Sequence, residues 1–126
     1  DSAAVQSKVK QAAIRVLKAE ADKYLPKRLE IMARQTGLQY KEVRVRRMTS
    51  RWGSCSSTKL ITLNIFLMQL PDELIDYVLI HELVHTQHMD HSAAFWKTFE
   101  QLLPGAKRLR KMIKNHSPIL QPTYAE

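Results

Sequence analysis

The chain has 126 residues, 44% of them hydrophobic and 25% charged, enough for one domain with a real core and the composition of an ordinary soluble globular protein. Its single cysteine, Cys55, excludes an internal disulfide framework and fits a reducing compartment, so a cytoplasmic monomer is the expectation. No apolar run reaches the length of a membrane span and no signal-peptide core is seen, while a formal charge of +8 suggests an anionic substrate or partner, although solubility alone accounts for much of it.

Residues 2–36 read as a helical region, because Val5, Val9, Ala12, Ala13, Val16 and Leu17 recur at three- and four-residue spacing between basic residues. Pro26 predicts a kink or a break near Leu25, with a second helical piece that Gly37 terminates. Lys8, Lys10, Arg15, Lys18 and Lys23 read as a solvated face. A sheet is expected over 40–68. In its first strand Val43 and Val45 face one side and Arg44 and Arg46 the other. That basic face is suited to an acidic substrate or phosphates, and equally to water.

Thr49 to Ser57 is rich in small polar residues and reads as a loop or hairpin, yet Arg51 and Trp52 are large for a mere connector. Cys55 has no partner at a metal-ligand spacing and reads as structural. Leu60 to Leu67 is rich in branched residues and predicts a second strand paired with the first. Pro71 then opens a helix over 71–89, with Asp72 and Glu73 well placed in its first turn.

C-terminal helices are expected over 92–115, broken at Pro104-Gly105. Phe95, Trp96, Phe99, Leu102 and Leu103 have the spacing of core residues. Leu109, Met112 and Ile113 are expected inward, with Lys107, Arg108, Arg110, Lys111 and Lys114 outward. The segment holding Pro118 and Pro122 reads as extended or mobile.

The most informative stretch is Ile80-His81-Glu82-Leu83-Val84-His85-Thr86-Gln87-His88-Met89-Asp90-His91. On a helix His81 and His85 project from one face one turn apart, so both imidazoles can reach one metal ion. Glu82 is rotated away by about 100° and takes the place of a general base acting on a water molecule. A catalytic zinc site needs a third protein ligand. His88, His91 and Glu100 are the candidates. His88 shares the stripe of His81, but on a continuing helix the two backbones stand about 10.5 Å apart along the axis, too far for one zinc with bonds of about 2.1 Å. If the helix stops near Met89 or Asp90 and the chain folds back, His91 can serve, with Ser92 opening the next helix. Leu74 to Val84 is apolar almost all round, which marks a buried helix in which unsatisfied imidazoles and a carboxylate would be costly.

Arg51-Trp52-Gly53-Ser54-Cys55-Ser56, followed by Ile75-Asp76-Tyr77-Val78, His81-Glu82-Leu83-Val84-His85 and Asp90-His91-Ser92 with Phe95-Trp96, resembles the YgjP-like metallopeptidase domain, a family related in design to SprT-like zinc peptidases. The resemblance is close over roughly 40–103 and looser before it. It implies His91 as third zinc ligand and an α+β, zincin-like domain in which helices pack on a small antiparallel sheet around a central HExxH helix. It also implies an edge strand beside the cleft, to which an extended peptide substrate adds by backbone hydrogen bonding.

Three functions compete on these residues. The first is a zinc metallopeptidase with metal ligands His81, His85 and His91, general base Glu82, and substrate contacts from Arg51, Trp52, Arg44 and Arg46. Arg51, Tyr77 and Tyr124 are its candidate oxyanion stabilisers on chemistry alone. The second is a metal-dependent hydrolase of phosphoanhydrides such as nucleoside triphosphates, with Arg44, Arg46, Arg47 and Arg51 on the phosphates. The third is a nucleic-acid-associated protease, or a binding module in which the metal is structural and the basic surface takes phosphate backbone.

Overall fold

A computed structural model of the chain describes residues 2–117; Pro118, Pro122 and Tyr124 lie outside them. Helix α1 (Ser2–Thr36) contains Pro26 without the break expected near Leu25. The reason is burial. Ala21, Leu25 and Leu29 are fully buried at one-turn spacing around the proline, and two buried leucines contribute about 1.5–3 kcal/mol each. That offsets the cost of about 3 kcal/mol for a proline inside a helix. Met32 and Ala33 continue this buried stripe, whereas Val5, Val9 and Val16 stay exposed. The core therefore holds α1 through its C-terminal half, and Gly37 ends it at positive φ.

Strands β1 (Glu42–Arg46), β2 (Gly53–Cys55) and β3 (Leu60–Asn64) form one sheet in the order β1-β3-β2. In β1 Val43 and Val45 are half-buried and Arg44 and Arg46 exposed, as the alternation predicts. The sheet is mixed, which corrects the antiparallel sheet expected: β2 runs antiparallel to β3, but β1 runs parallel to it, Glu42 opposite Leu60 through Arg46 opposite Asn64. Parallel neighbours cannot be joined by a tight hairpin and need a crossover. Residues 47–59 make it, and β2 lies inside it.

The second strand also stops at Asn64 instead of continuing to Leu67. The Asn64 side chain accepts from the Phe66 backbone N–H at 3.1 Å, capping a short 3-10 helix over Ile65–Gln69.

Helix α2 (Asp72–Val84) is buried at nine of its positions, among them Leu74, Leu79 and Leu83, which is the all-round apolar character of a central helix. It ends four to five residues sooner than expected. The Thr86 hydroxyl donates to the Leu83 carbonyl at 2.6 Å, and the Thr86 and Gln87 N–H groups bond the carbonyls of Leu83 and Val84 at 3.0 Å. A tight turn thus replaces further helix. Helices α3 (Ala93–Leu102) and α4 (Ala106–Ile113) follow. Ser92 caps α3 by accepting from the Phe95 N–H, and Asp90 accepts from the Ser92 N–H at 3.2 Å. Glu100 accepts from the N–H groups of Gly105 (2.6 Å) and Lys107 (3.3 Å), capping the start of α4. Among the described residues no helix is long and apolar enough to cross a membrane.

Helices α1 and α2 are tied by a two-pronged ion pair: Arg28 Nε and Nη2 donate to Asp76 Oδ1 and Oδ2 at 2.9 and 2.7 Å. Asp76→Ala should cost about 1–3 kcal/mol by leaving a half-buried guanidinium unpaired, lowering Tm by several degrees. In urea unfolding, adding Arg28→Ala to that variant should cost less than the sum of the single losses; additive losses would deny the coupling.

Candidate active site

Two of the three histidines come from the last turn of α2 and its C-cap, and the third from the chain that returns after the turn. His81 lies within the helix, His85 caps it, and His91 precedes α3. One ring nitrogen from each lies within 4.8 Å of the others, and His85 Nε2 stands 3.1 Å from His91 Nε2. His85 is buried, the His81 side chain is 12% exposed, and His91 is exposed. Phe95 packs under the cluster, its ring stacked on His85 at 4.6 Å and edge-on to His81 and His91.

Hydrogen bonds orient these rings. His85 Nδ1 lies 2.8 Å from the His88 carbonyl oxygen, so Nδ1 carries the proton and Nε2 keeps its lone pair. Burial holds the His85 pKa below its ordinary value, against the opposing pull of that carbonyl bond. His81 Nδ1 lies 3.0 Å from Glu82 Oε2, and the same tautomer satisfies it, leaving Nε2 as the donor atom. His88 is a turn residue: its carbonyl serves His85, and its ring reaches the Thr98 hydroxyl on α3 at 3.1 Å. Glu100, a candidate ligand by residue type, is spent on capping α4.

Glu82 is buried, and β2 passes so close that Gly53 has a steric reason to be glycine. A Cβ at Gly53 would sit 3.1 Å from Glu82 Cγ, 3.3 Å from its Oε2 and 3.3 Å from the Thr62 carbonyl oxygen. The carboxylate is thereby wedged between the His81 ring and the β2 backbone.

A cleft of about 310 Å³ opens over the cluster, with Arg51, Trp52 and β2 on one wall, Tyr77, Glu82 and the histidines on the other, and Ile113 of α4 at its margin. Arg51 is exposed and Trp52 buried. Arg44 and Arg46 stand on the exposed side of β1 and do not line this cleft. Tyr77 is 1% exposed and stacked on Phe99 at 5.1 Å; the other oxyanion candidate, Tyr124, is outside the described residues.

Sequence reasoning missed Asn64. Its fully buried side chain donates to the carbonyls of Met48 (3.2 Å) and Arg51 (2.7 Å) and its backbone N–H bonds that of Trp52, so it pins the loop bearing Arg51 and Trp52. The available signal was an amide closing an otherwise apolar strand. Arg110, read as an outward charge of α4, also approaches the histidines: it shares a small pocket with His81, His91 and Trp96.

The family model of the YgjP-like metallopeptidase domain matches residues 2–116. The chain belongs to the YgjP-like metallopeptidase family. Its structure is similar to that of the metallopeptidase zymogen abylysin of Pyrococcus abyssi, with 33% identity, a TM-score of 0.59, and coverage of 68% of this chain and 87% of that one. It also shares a fold with the zymogen jannalysin of Methanocaldococcus jannaschii, at 18% identity and a TM-score of 0.58, covering 68% and 88% of the two chains. A search of curated proteins finds no match. The YgjP-like domain is thus an α+β metallopeptidase, as its motifs imply.

Cys55 faces the same cleft, and its thiol is pushed up from 9.0 to about 11, first by burial, then by the Glu82 charge, with Lys59 opposing. Iodoacetamide labelling should therefore rise towards about pH 11 instead of 9.0. Because the folded pKa is the higher, the neutral thiol's stabilisation is complete below the unfolded pKa and is lost as pH rises through that window. Glu82→Gln should move the labelling midpoint down; an unchanged midpoint would remove the carboxylate as a cause.

Proposed function

We propose that this domain hydrolyses peptide bonds with a zinc ion held by His81, His85 and His91, and with Glu82 as general base and later general acid. The observation that carries the reading is the convergence of three imidazoles, those of His81 and His85 oriented by hydrogen bonds, beside a buried carboxylate of an otherwise apolar helix. The donor set fits zinc. Nitrogens at about 2.1 Å from a tetrahedral ion lie about 3.4 Å apart, close to the 3.1 Å between His85 and His91. Neutral imidazoles suit zinc, and three protein ligands are the count of a catalytic rather than a structural site. When bound there, zinc supplies Lewis acidity to the substrate carbonyl and makes a water molecule more acidic.

The remaining chemistry belongs to the chain. Glu82, fixed between Gly53 and His81, takes a proton from the attacking water and delivers it to the leaving amine. Strand β2 is a sheet edge that lines the cleft, so an extended peptide can align along it through main-chain hydrogen bonds. Arg51 and Trp52, held by Asn64, line the cleft, which supports reading both as substrate contacts and Arg51 as the oxyanion stabiliser. The phosphoanhydride alternative calls on four arginines, of which Arg51 lines the cleft and Arg44, Arg46 and Arg47 do not. A peptide fits this distribution better than a triphosphate.

Glu82→Gln should retain zinc while losing about 10²–10⁴-fold in kcat on a peptide library; undiminished cleavage would sink the assignment of the base. In zinc titrations against a chelator, His91→Ala should weaken affinity by more than the about 10–100-fold typical of residues that merely support a ligand. His88→Ala keeps the carbonyl that serves His85 and should lose far less. The reverse order would move the third ligand to His88.

A further inference from the structure

Helix α4 carries a feature that peptide hydrolysis alone does not use. The Arg110 guanidinium sits over the Trp96 ring, 5.1 Å from its centroid, and the Trp96 ring is stacked on buried Phe99 at 5.7 Å and 15°. A guanidinium laid on an anchored indole is held to one side of the helix rather than sweeping through solvent. That side is the histidine cluster: Arg110, Trp96, His81 and His91 line an open pocket of about 80 Å³.

This pocket differs from the main cleft in what it lacks. Glu82 and His85 line the cleft but not the pocket, while His81 and His91 line both. A group in the pocket therefore lies beside the cluster and away from the general base, where an anion meets the guanidinium without facing the Glu82 carboxylate. Three residues on, Ile113 of the same helix reaches the main cleft, so a substrate lying in the cleft has the pocket within reach. A flat guanidinium with a fork of donors matches a carboxylate.

Resting on the peptidase reading of the same site, we propose that Arg110 and Trp96 form a carboxylate subsite, so that the enzyme selects peptides with an acidic group next to the bond it cleaves. That carboxylate is supplied by an aspartate or glutamate side chain or by the free C-terminus of the substrate. Arg110 is then a specificity residue, fixed by Trp96.

The test uses the full chain loaded with zinc and four otherwise identical peptides: amidated ones with Gln, Glu or Lys beside the scissile bond, and one ending there in a free carboxylate. Wild type should favour one or both of the acidic peptides over Gln by about ten- to a hundredfold in kcat/KM, mostly through KM. Preference for Glu in the amidated pair assigns the side chain; preference for the free end assigns the terminus. Arg110→Glu should invert the order and favour Lys, a gain that misfolding cannot produce. Equal losses on all peptides in Arg110→Glu, or no acidic preference in wild type, would overturn the subsite while leaving peptide hydrolysis intact. Cleavage of no peptide would instead strike the peptidase reading. The subsite then stands or falls on metal-free protein titrated with N-acetylglutamate amide: the Trp96 indole N–H resonance should shift in wild type and stay still in Arg110→Glu, and an unmoved wild-type resonance would overturn it.

Discussion

The structure depends on one constraint: helix α2 is buried along its length, yet its last turn must carry polar groups. A helix in that position ordinarily holds only apolar side chains, because each unsatisfied polar atom in the interior is expensive. Here the cost is met locally. Among the described residues no fully buried side-chain nitrogen or oxygen is left without a partner. His81 and Glu82 face each other, His85 bonds the turn that ends its own helix, and Phe95 supplies an apolar floor. The end of α2 before His91 is part of the solution, since a helix continued through His91 would carry both His88 and His91 up the axis, away from His81 and His85.

The second half of the site is made by a sheet too small to stand alone. Three short strands give little core of their own, and they are held because β3 is buried, α1 packs on β1, and α2 packs on β2 and β3. Asn64 links the two halves. At the end of β3 it ties the loop before β2 to the 3-10 helix that leads into α2, so the Arg51 wall and the histidine wall are positioned from one amide.

Much of this was legible in the residues. The proline-opened and almost uniformly apolar run located α2, and the spacing of His81, Glu82 and His85 located the chemistry within it. The rise of a helix was enough to set His88 aside. What could not be read were features decided by partners distant in sequence. Pro26 reads as a helix breaker until Leu25 and Leu29 are seen to be fully buried. Two β-rich segments separated by a turn-like loop suggest a hairpin, and nothing local reveals that β1 lies parallel to β3 with β2 on the far side. Arg110 reads as a solvated charge on an amphipathic helix because its distinguishing neighbour, Trp96, belongs to another one. The termination of α2 was a matter of a threonine hydroxyl, too weak a signal to outweigh the helical pattern around it.

The mixed sheet has a consequence for how this architecture can diversify. In most enzymes loops at the mouth of a site accept insertions and exchanges while the scaffold beneath stays intact. Here the lip of the cleft is itself the link that lets β1 and β3 run side by side, with β2 threaded into it and Gly53 seated against the base. Lengthening or swapping that segment disturbs strand order and chemistry together, so it is a poor place for lineages, or protein engineers, to explore new selectivity. Helix α4 is under no such double duty. It lies late in the chain and crosses no strand connection, and side chains there can be exchanged one at a time with the topology untouched.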